Sequence, residues 1–202
     1  MSCIRRSLRI LRKFTFSYWR DRVMDIFKIE GHRIDLREFQ ISDLDEIYNI
    51  TLQPEIAEFL PDWIASKEQR KEWLIKYEIP ENRAFVESIP KIGENILRMV
   101  IVLKETNEVI GWIVSGNKDE VPEPNRELGY GISNKFTGKG YATEAVKLLS
   151  SYIFENTDTK ELVAIALPHN QGSNRVIQKS GFKFIDVIKV KGKDFNYYRL
   201  KK

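Results

Sequence analysis

Gly138 and Gly140 stand one residue apart in residues 134–145, Asn-Lys-Phe-Thr-Gly-Lys-Gly-Tyr-Ala-Thr-Glu-Ala, where a strand-like segment gives way to a helix-like one. Such a turn can hold an anion. Glycine lets the backbone bend tightly and leaves room for a ligand, while the unpaired amides at the helix start, with the positive end of its dipole, face an arriving phosphate. The common phosphate motifs do not describe this run. A P-loop has four residues between its glycines and Lys-Ser or Lys-Thr after the second, and a dinucleotide fingerprint has Gly-x-Gly-x-x-Gly with an acidic residue about 20 positions on. Neither pattern is present.

Two further segments frame the turn. Upstream lies Arg-Glu-Leu-Gly-Tyr-Gly-Ile-Ser, residues 126–133, and downstream lies Asn-Gln-Gly-Ser-Asn-Arg-Val-Ile-Gln-Lys-Ser-Gly-Phe, residues 170–182. Gly129-Tyr130, the run from Gly138 to Ala145, and Asn170-x-x-Ser173 with Lys179-x-Gly181-Phe182 occur in the order that resembles the GNAT N-acetyltransferases. The branch is similar to the ribosomal-protein alanine N-acetyltransferases, and the resemblance spans residues 33–200.

The resemblance implies an α/β (α+β) fold: a mixed central sheet of about seven strands with a splayed parallel pair, flanked by about four helices. It implies acetyl-CoA as co-substrate and no metal. The pantetheine arm would fill the splay like a missing strand, paired with amides near Tyr130 and Ile132 and held by Asn170. The diphosphate would rest on the amides of residues 138–142, which include Gly138, Lys139, Gly140, Tyr141 and Ala142. Thr143 can add a hydroxyl, and Lys135 or Lys139 a positive charge.

Acetyl transfer to an amine has three requirements. Lysine-like amines titrate near 10.4 and α-amines near 8, so a base or water relay must take a proton. Glu127, three residues before Tyr130, is the candidate; an acid there can equally bind the amine as an ion or be solvated. The tetrahedral oxyanion needs donors, which free amides around residues 130–132 supply. The departing thiolate needs only modest help, since thiols titrate near 8.5. Ser173 matches the serine that the resemblance implies protonates the sulfur, and both it and Asn170 can alternatively be helix caps. Tyr197 or Tyr198, on the last hairpin, is an alternative acid. Phe59 and Trp63 fall between the first two helices, which by resemblance wall the acceptor site; Trp73, Tyr77 and Trp112 read as core. His169 reads as a loop residue and His32 as incidental. Thr137 replaces a common glutamine, and Gly131 replaces a tryptophan, which is expected to remove a bulky wall beside the thioester.

The elements that position these residues follow from periodicity. Residues 33–39 alternate like a half-buried strand, and Ser42 or Asp43 caps a helix carrying Leu44, Ile47, Tyr48 and Leu52. A second helix over residues 66–77 opens with a Ser-x-x-Gln box and buries Trp73, Leu74 and Tyr77; Pro80 ends it, and residues 80–95 read as a loop. Residues 96–104 and 109–116 form a hairpin, and residues 127–133 a third strand. A helix over residues 141–155 follows the glycine turn, turning Ala145, Leu148, Leu149 and Tyr152 inward. The apolar run 162–167 suits a strand covered on both faces. Residues 173–179 form a helix closed by Gly181, and residues 182–190 and 195–200 a hairpin around Gly192.

Composition bounds the alternatives. The 202 residues, 42% hydrophobic, suit one domain, with no apolar run near the roughly 20 residues of a bilayer span. The single cysteine, Cys3, excludes an internal disulfide and points to a cytoplasmic location. The net charge of +4 is uneven: residues 1–23 carry seven basic residues against Asp21 alone, leaving 26 basic and 28 acidic residues beyond them. The rest of the chain is therefore not a nucleic-acid binder by charge. Residues 24–202 read as the acetyltransferase domain, monomeric or homodimeric, and residues 1–23 as a basic leader: an upstream extension, a targeting peptide or a surface arm. The acceptor is a protein N-terminal α-amine or a small amine such as a polyamine or aminoglycoside; a non-catalytic acyl-CoA-binding module is the remaining reading. A chain starting at Met24 is expected to match the full chain in thermal midpoint and turnover, whereas insolubility would make the leader structural.

Overall fold

The computed structural model describes residues 26–202; the predicted leader and Cys3 lie outside the described residues. Eight strands form one sheet: β1 (Lys28–Glu30), β2 (Ile34–Glu38), β3 (Leu97–Leu103), β4 (Glu108–Asn117), β5 (Arg126–Ile132), β6 (Glu161–Ala166), β7 (Lys183–Val190) and β8 (Lys193–Lys201). Their order is β1-β2-β3-β4-β5-β6-β8-β7. Every neighbouring pair is antiparallel except β5 and β6, which run parallel and meet at Glu127↔Val163 alone. Six α-helices accompany the sheet among the described residues: α1 (Leu44–Thr51), α2 (Pro54–Phe59), α3 (Lys67–Trp73), α4 (Ile79–Ser88), α5 (Tyr141–Asn156) and α6 (Gln171–Lys179). The expected mixed sheet with its parallel pair is present, with one strand more than expected, the three-residue β1.

The larger core joins α5, through Ala145, Val146, Leu149 and Ile153, to alternate residues of β2, β3 and β6. A second core, on Phe39, Val100 and Trp112, takes in Ile47 and Ile50 of α1 and Ile56 of α2. The expected inward stripe of α5 holds at Ala145 and Leu149, with Leu148 and Tyr152 packed at the margin.

Residues 80–95 are not the expected loop, because α4 occupies most of them. Pro80 is the second residue of α4, directly after the turn that admits it. Between α3 and α4 the chain makes a π-helical turn, Leu74–Glu78, so the helix continues where the proline was expected to end it. The wider turn keeps residues four apart in line: Arg70, Leu74 and Glu78 are buried together. Tyr77 falls off that stripe and is 54% exposed, against the expectation that it is core. Ser66 caps α3 as expected, accepting from the Gln69 amide at 3.1 Å. Leu52 lies past the end of α1 and is exposed, contrary to its expected place on the buried stripe.

Gly131 was expected to leave a wall missing. Instead the neighbouring strand supplies it: Trp112 is the cross-strand partner of Gly131, and a Cβ at Gly131 would lie 2.5 Å from Trp112 Cζ2. The indole stacks on Trp63 with ring centroids 4.3 Å apart. Glycine is thus required for a close approach, and the aromatic bulk comes from β4. Gly131→Ala is expected to destabilise the fold by about 1–3 kcal/mol, the usual range for overpacking, measured as a lower urea midpoint; an unchanged midpoint would show that the indole moves aside freely.

Candidate active site

β5 and β6 separate beyond Glu127 because each is held by its other neighbour. β5 is in register with β4 from Arg126 to Ile132, and β6 with β8 over its full length. The Ser133 amide donates to Ile110 O on the β4 side at 2.9 Å. Alternation along a strand therefore directs the amides of Tyr130 and Ile132 to the other side, into the gap. The gap opens into a cleft of about 770 Å³ lined by β5, the glycine turn, the end of β6 and the start of α6.

The glycine turn sits at one end of this cleft. Gly138 and Gly140 have φ of 74° and 85°, in the left-handed region that side chains disfavour. The first intrahelical bond of α5 runs from the Glu144 amide to Gly140 O at 3.0 Å, so the amides of Tyr141, Ala142 and Thr143 have no acceptor within the helix. Gly138, Gly140, Tyr141, Ala142 and Thr143 all line the cleft. The two lysines do not: Lys135 is exposed beside the turn, and Lys139 Nζ lies 5.3 Å from the Phe136 ring centroid.

Two residues that the sequence reading passed over hold the turn. The Gln53 side chain donates to Ser133 Oγ at 3.1 Å and accepts from the Asn134 amide at 2.8 Å, tying α2 to the end of β5. Arg33 donates through Nη1 to Lys139 O at 2.9 Å and through Nε to Glu144 at 2.8 Å. Partial burial pushes the Glu144 carboxyl up, but the Arg33 amide and guanidinium together hold it below the ordinary value. No local pattern signals either contact, since each joins residues about a hundred positions apart or nearly so.

At the other end, Asn170 is the N-cap of α6, its Oδ1 accepting from the Ser173 amide at 3.0 Å. The Ser173 hydroxyl is free of the cap and lies 3.1 Å from the Tyr130 hydroxyl. Burial pushes the Tyr130 phenol up to about 12, the Ser173 contact opposing, so it stays protonated at neutral pH. Tyr197 and Tyr198 are both buried and line neither cleft; their hydroxyls donate to Pro122 O at 3.3 Å and Asn174 Oδ1 at 2.6 Å. Neither therefore reaches the site as the alternative acid: on β8, Tyr198 belongs to the larger core and Tyr197 to a third, with Val121, Val163 and Val190.

A second cleft, of about 640 Å³, opens on the far side of β5. Phe59 and Trp63 line it, with Trp73, Tyr77 and Trp112. Arg70 is held between the Trp63 and Trp73 rings, 4.8 and 5.0 Å from their centroids, and pairs with buried Glu78. The two clefts share eight residues, Glu127, Gly129, Tyr130, Ile165 and Leu167 among them, and so meet where the strands part.

Glu127 stands at that junction. Its side chain is 22% exposed, so it is not simply solvated, and Lys118 Nζ lies 3.5 Å away. Desolvation raises its carboxyl above the ordinary value, more than the lysine lowers it. His169 is exposed near Glu58, 3.5 Å away, at the rim. Among the described residues no cluster of His, Cys, Asp and Glu could hold a metal, and no helix is long and apolar enough to cross a membrane.

Comparison with known proteins agrees with this geometry. The acetyltransferase (GNAT) domain profile matches residues 33–183, and the chain belongs to that family. It is similar to the uncharacterised N-acetyltransferase YnaD of Bacillus subtilis, 24% identical over 155 residues, covering 77% of this chain and 82% of the relative. Among solved structures it is similar to RimL, a ribosomal alpha-N-protein acetyltransferase, with a TM-score of 0.68 and 18% identity over 88% of this chain and 95% of that one. It is also similar to AAC(6')-Ib in complex with paromomycin and acetyl-CoA, with a TM-score of 0.67 and 18% identity over 85% and 94% of the two chains. The last two likenesses speak to the fold.

The raised Glu127 carboxyl makes a stability prediction of definite sign. Above the ordinary value of 4.5 the unfolded chain ionises this group freely while the fold resists, so the wild-type residue costs stability at neutral pH. Glu127→Gln is expected to raise the thermal midpoint at pH 7, with the gain shrinking as pH falls toward about 4.5 and gone below it. A lower midpoint at pH 7 would mean that the Lys118 pair outweighs desolvation.

Proposed function

We propose that this acetyltransferase uses acetyl-CoA to acetylate a protein N-terminal α-amine by direct attack within a ternary complex. The observation that carries the reading is the meeting of two clefts at Glu127 and Tyr130. The gap between β5 and β6 fits the donor. Free amides of Tyr130 and Ile132 suit the pantetheine arm and the oxyanion, and the left-handed glycines leave the start of α5 open to a diphosphate. No Cβ neighbour lies within 4 Å of Gly138 or of Gly129, so backbone can approach a ligand closely at both. The complex of AAC(6')-Ib with acetyl-CoA supports the same choice of donor.

The chemistry balances on residues at the junction. The amine nitrogen bonds to the acetyl carbon as the carbon–sulfur bond breaks. Glu127 takes the proton that the amine loses, and its raised carboxyl is closer to working pH than an ordinary glutamate. Ser173 gives a proton to the departing sulfur, with the neutral Tyr130 phenol beside it to donate in turn. Asn170, acting as a helix cap, fixes where Ser173 stands and keeps its own side-chain N–H groups for the pantetheine arm. Thr143 remains the hydroxyl of the diphosphate subsite.

Charge in the acceptor cleft favours a peptide over a polycation. Its five acids, Glu58, Asp62, Glu78, Glu81 and Glu127, are matched by Arg70, Arg98, Lys118, Lys191 and Lys193. A polyamine or aminoglycoside would be recognised by an acidic excess. The cleft is instead balanced and walled by aromatic side chains, which suits a chain terminus of mixed character; the likeness to RimL supports the same acceptor class.

A turnover screen that follows free thiol, across N-terminal peptides, polyamines and aminoglycosides, is expected to find its best substrate among the peptides. Preference for an aminoglycoside would overturn the acceptor reading. Glu127→Gln is expected to lower turnover about 10² to 10⁴-fold at nearly unchanged acetyl-CoA affinity, with partial rescue at high pH where the amine is neutral. Full activity across the pH range would remove Glu127 as the base. Gly140→Asp, which sets a strained side chain and a negative charge against the diphosphate, is expected to abolish acetyl-CoA binding in calorimetry while circular dichroism is unchanged.

A further inference from the structure

We propose that Arg33, rather than Lys135 or Lys139, is the cationic positioning residue of the diphosphate subsite; this rests on the acetyl-CoA reading above. Its guanidinium lies against three successive residues at the start of α5, Lys139, Gly140 and Tyr141. Nη1 donates to Lys139 O at 2.9 Å, the group stacks over the Tyr141 ring at 4.8 Å, and Nη2 lies 3.4 Å from where a Cβ on Gly140 would sit. The position of Arg33 is itself fixed. Glu144 accepts from its backbone amide at 2.7 Å and from Nε at 2.8 Å, so one carboxylate holds both ends of the residue.

Two consequences follow for an anion in the cleft. The peptide joining Lys139 to Gly140 is planar and trans, so its C=O and N–H point in opposite directions. With the carbonyl held by Arg33, the Gly140 N–H is aimed away from the guanidinium, and Gly140 lines the donor cleft. The second consequence is electrostatic. Glu144 is a carboxylate in the first turn of α5, and without its partner it would repel a diphosphate bound on the same amides. Arg33 cancels that charge from outside the cleft lining, and so acts through the turn and Glu144. Neither lysine does this: Lys139 Nζ stands over the Phe136 ring, 5.3 Å from its centroid, and Lys135 is exposed beside the turn.

The test compares two ligands that share the pantetheine arm and differ in the diphosphate and nucleotide. CoA is titrated by calorimetry, and pantetheine by NMR at millimolar concentration. Loss of one charge-assisted clamp and exposure of Glu144 are expected to weaken CoA binding by about tenfold or more in Arg33→Met. Pantetheine binding should stay within about twofold. Arg33→Lys restores the charge without the fork and should fall between the wild type and Arg33→Met. Equal weakening of both ligands, or unchanged CoA affinity in either variant, would overturn the proposal. A wild-type protein that binds CoA no better than pantetheine would instead overturn the acetyl-CoA reading on which it rests.

Discussion

The single point of contact between β5 and β6 organises this molecule. Parallel neighbours normally pair along their length, and these two share only Glu127↔Val163 before they part. What keeps them apart is the pairing on their outer sides. β5 cannot follow β6 without leaving β4, and β6 cannot follow β5 without leaving β8, which holds it from Glu161 to Ala166. The unmade ladder leaves backbone donors of the protein interior facing a cleft instead of a strand. Unpaired amides favour a ligand that binds them, and on the proposed reading the pantetheine arm completes the sheet there.

The same splay explains why both clefts converge on so few side chains. Residues that alternate along β5 point to opposite faces. Leu128 enters the core beneath α5, while Glu127 and Gly131 face the aromatic wall of Trp63 and Trp112. Helix α5 is seated by Ala145, Leu149 and Ile153, so the direction of its dipole is set by core packing, and the glycine turn inherits that direction. Gln53 from one side and Arg33 from the other then fix the loop that precedes it. On the proposed reading, this anion site is organised before its ligand arrives, which is what makes oriented amides effective.

Features readable from the sequence were those set by neighbours in the chain. The glycine turn, the helix that follows it, the apolar run of β6 and the hairpin at Gly192 depend on short-range rules of conformation and periodicity, and each appears within a residue or two of its expected place. What escaped was set across the fold. Pro80 reads as a terminator unless it falls in a first turn, and that depends on the π-turn before it, which no periodicity announces. Gly131 reads as an absent wall until Trp112 is placed opposite it by the β4–β5 register. Lys135 and Lys139 are the cations nearest the turn in sequence, whereas Arg33 is the one that touches it. Tyr197 and Tyr198 lie on the strand beside β6, but both hydroxyls are occupied within the protein.

On the proposed mechanism, one physical effect assigns opposite roles to two groups on β5. Desolvation at the junction raises both Glu127 and Tyr130. For a carboxyl that starts at 4.5, a rise brings it closer to neutrality and makes the ionised form a stronger base. For a phenol that starts at 10, the rise to about 12 removes any ionised fraction at neutral pH and leaves a dependable donor. Lys118, beside Glu127, opposes the first shift. Ser173, beside Tyr130, gives the phenol a partner through which a proton can reach the cleft. Proton acceptor and proton donor therefore lie three residues apart on one strand but on opposite faces, the acceptor toward the amine cleft and the donor toward the thioester. A transfer reaction needs that polarity, and the pleat of β5 supplies it.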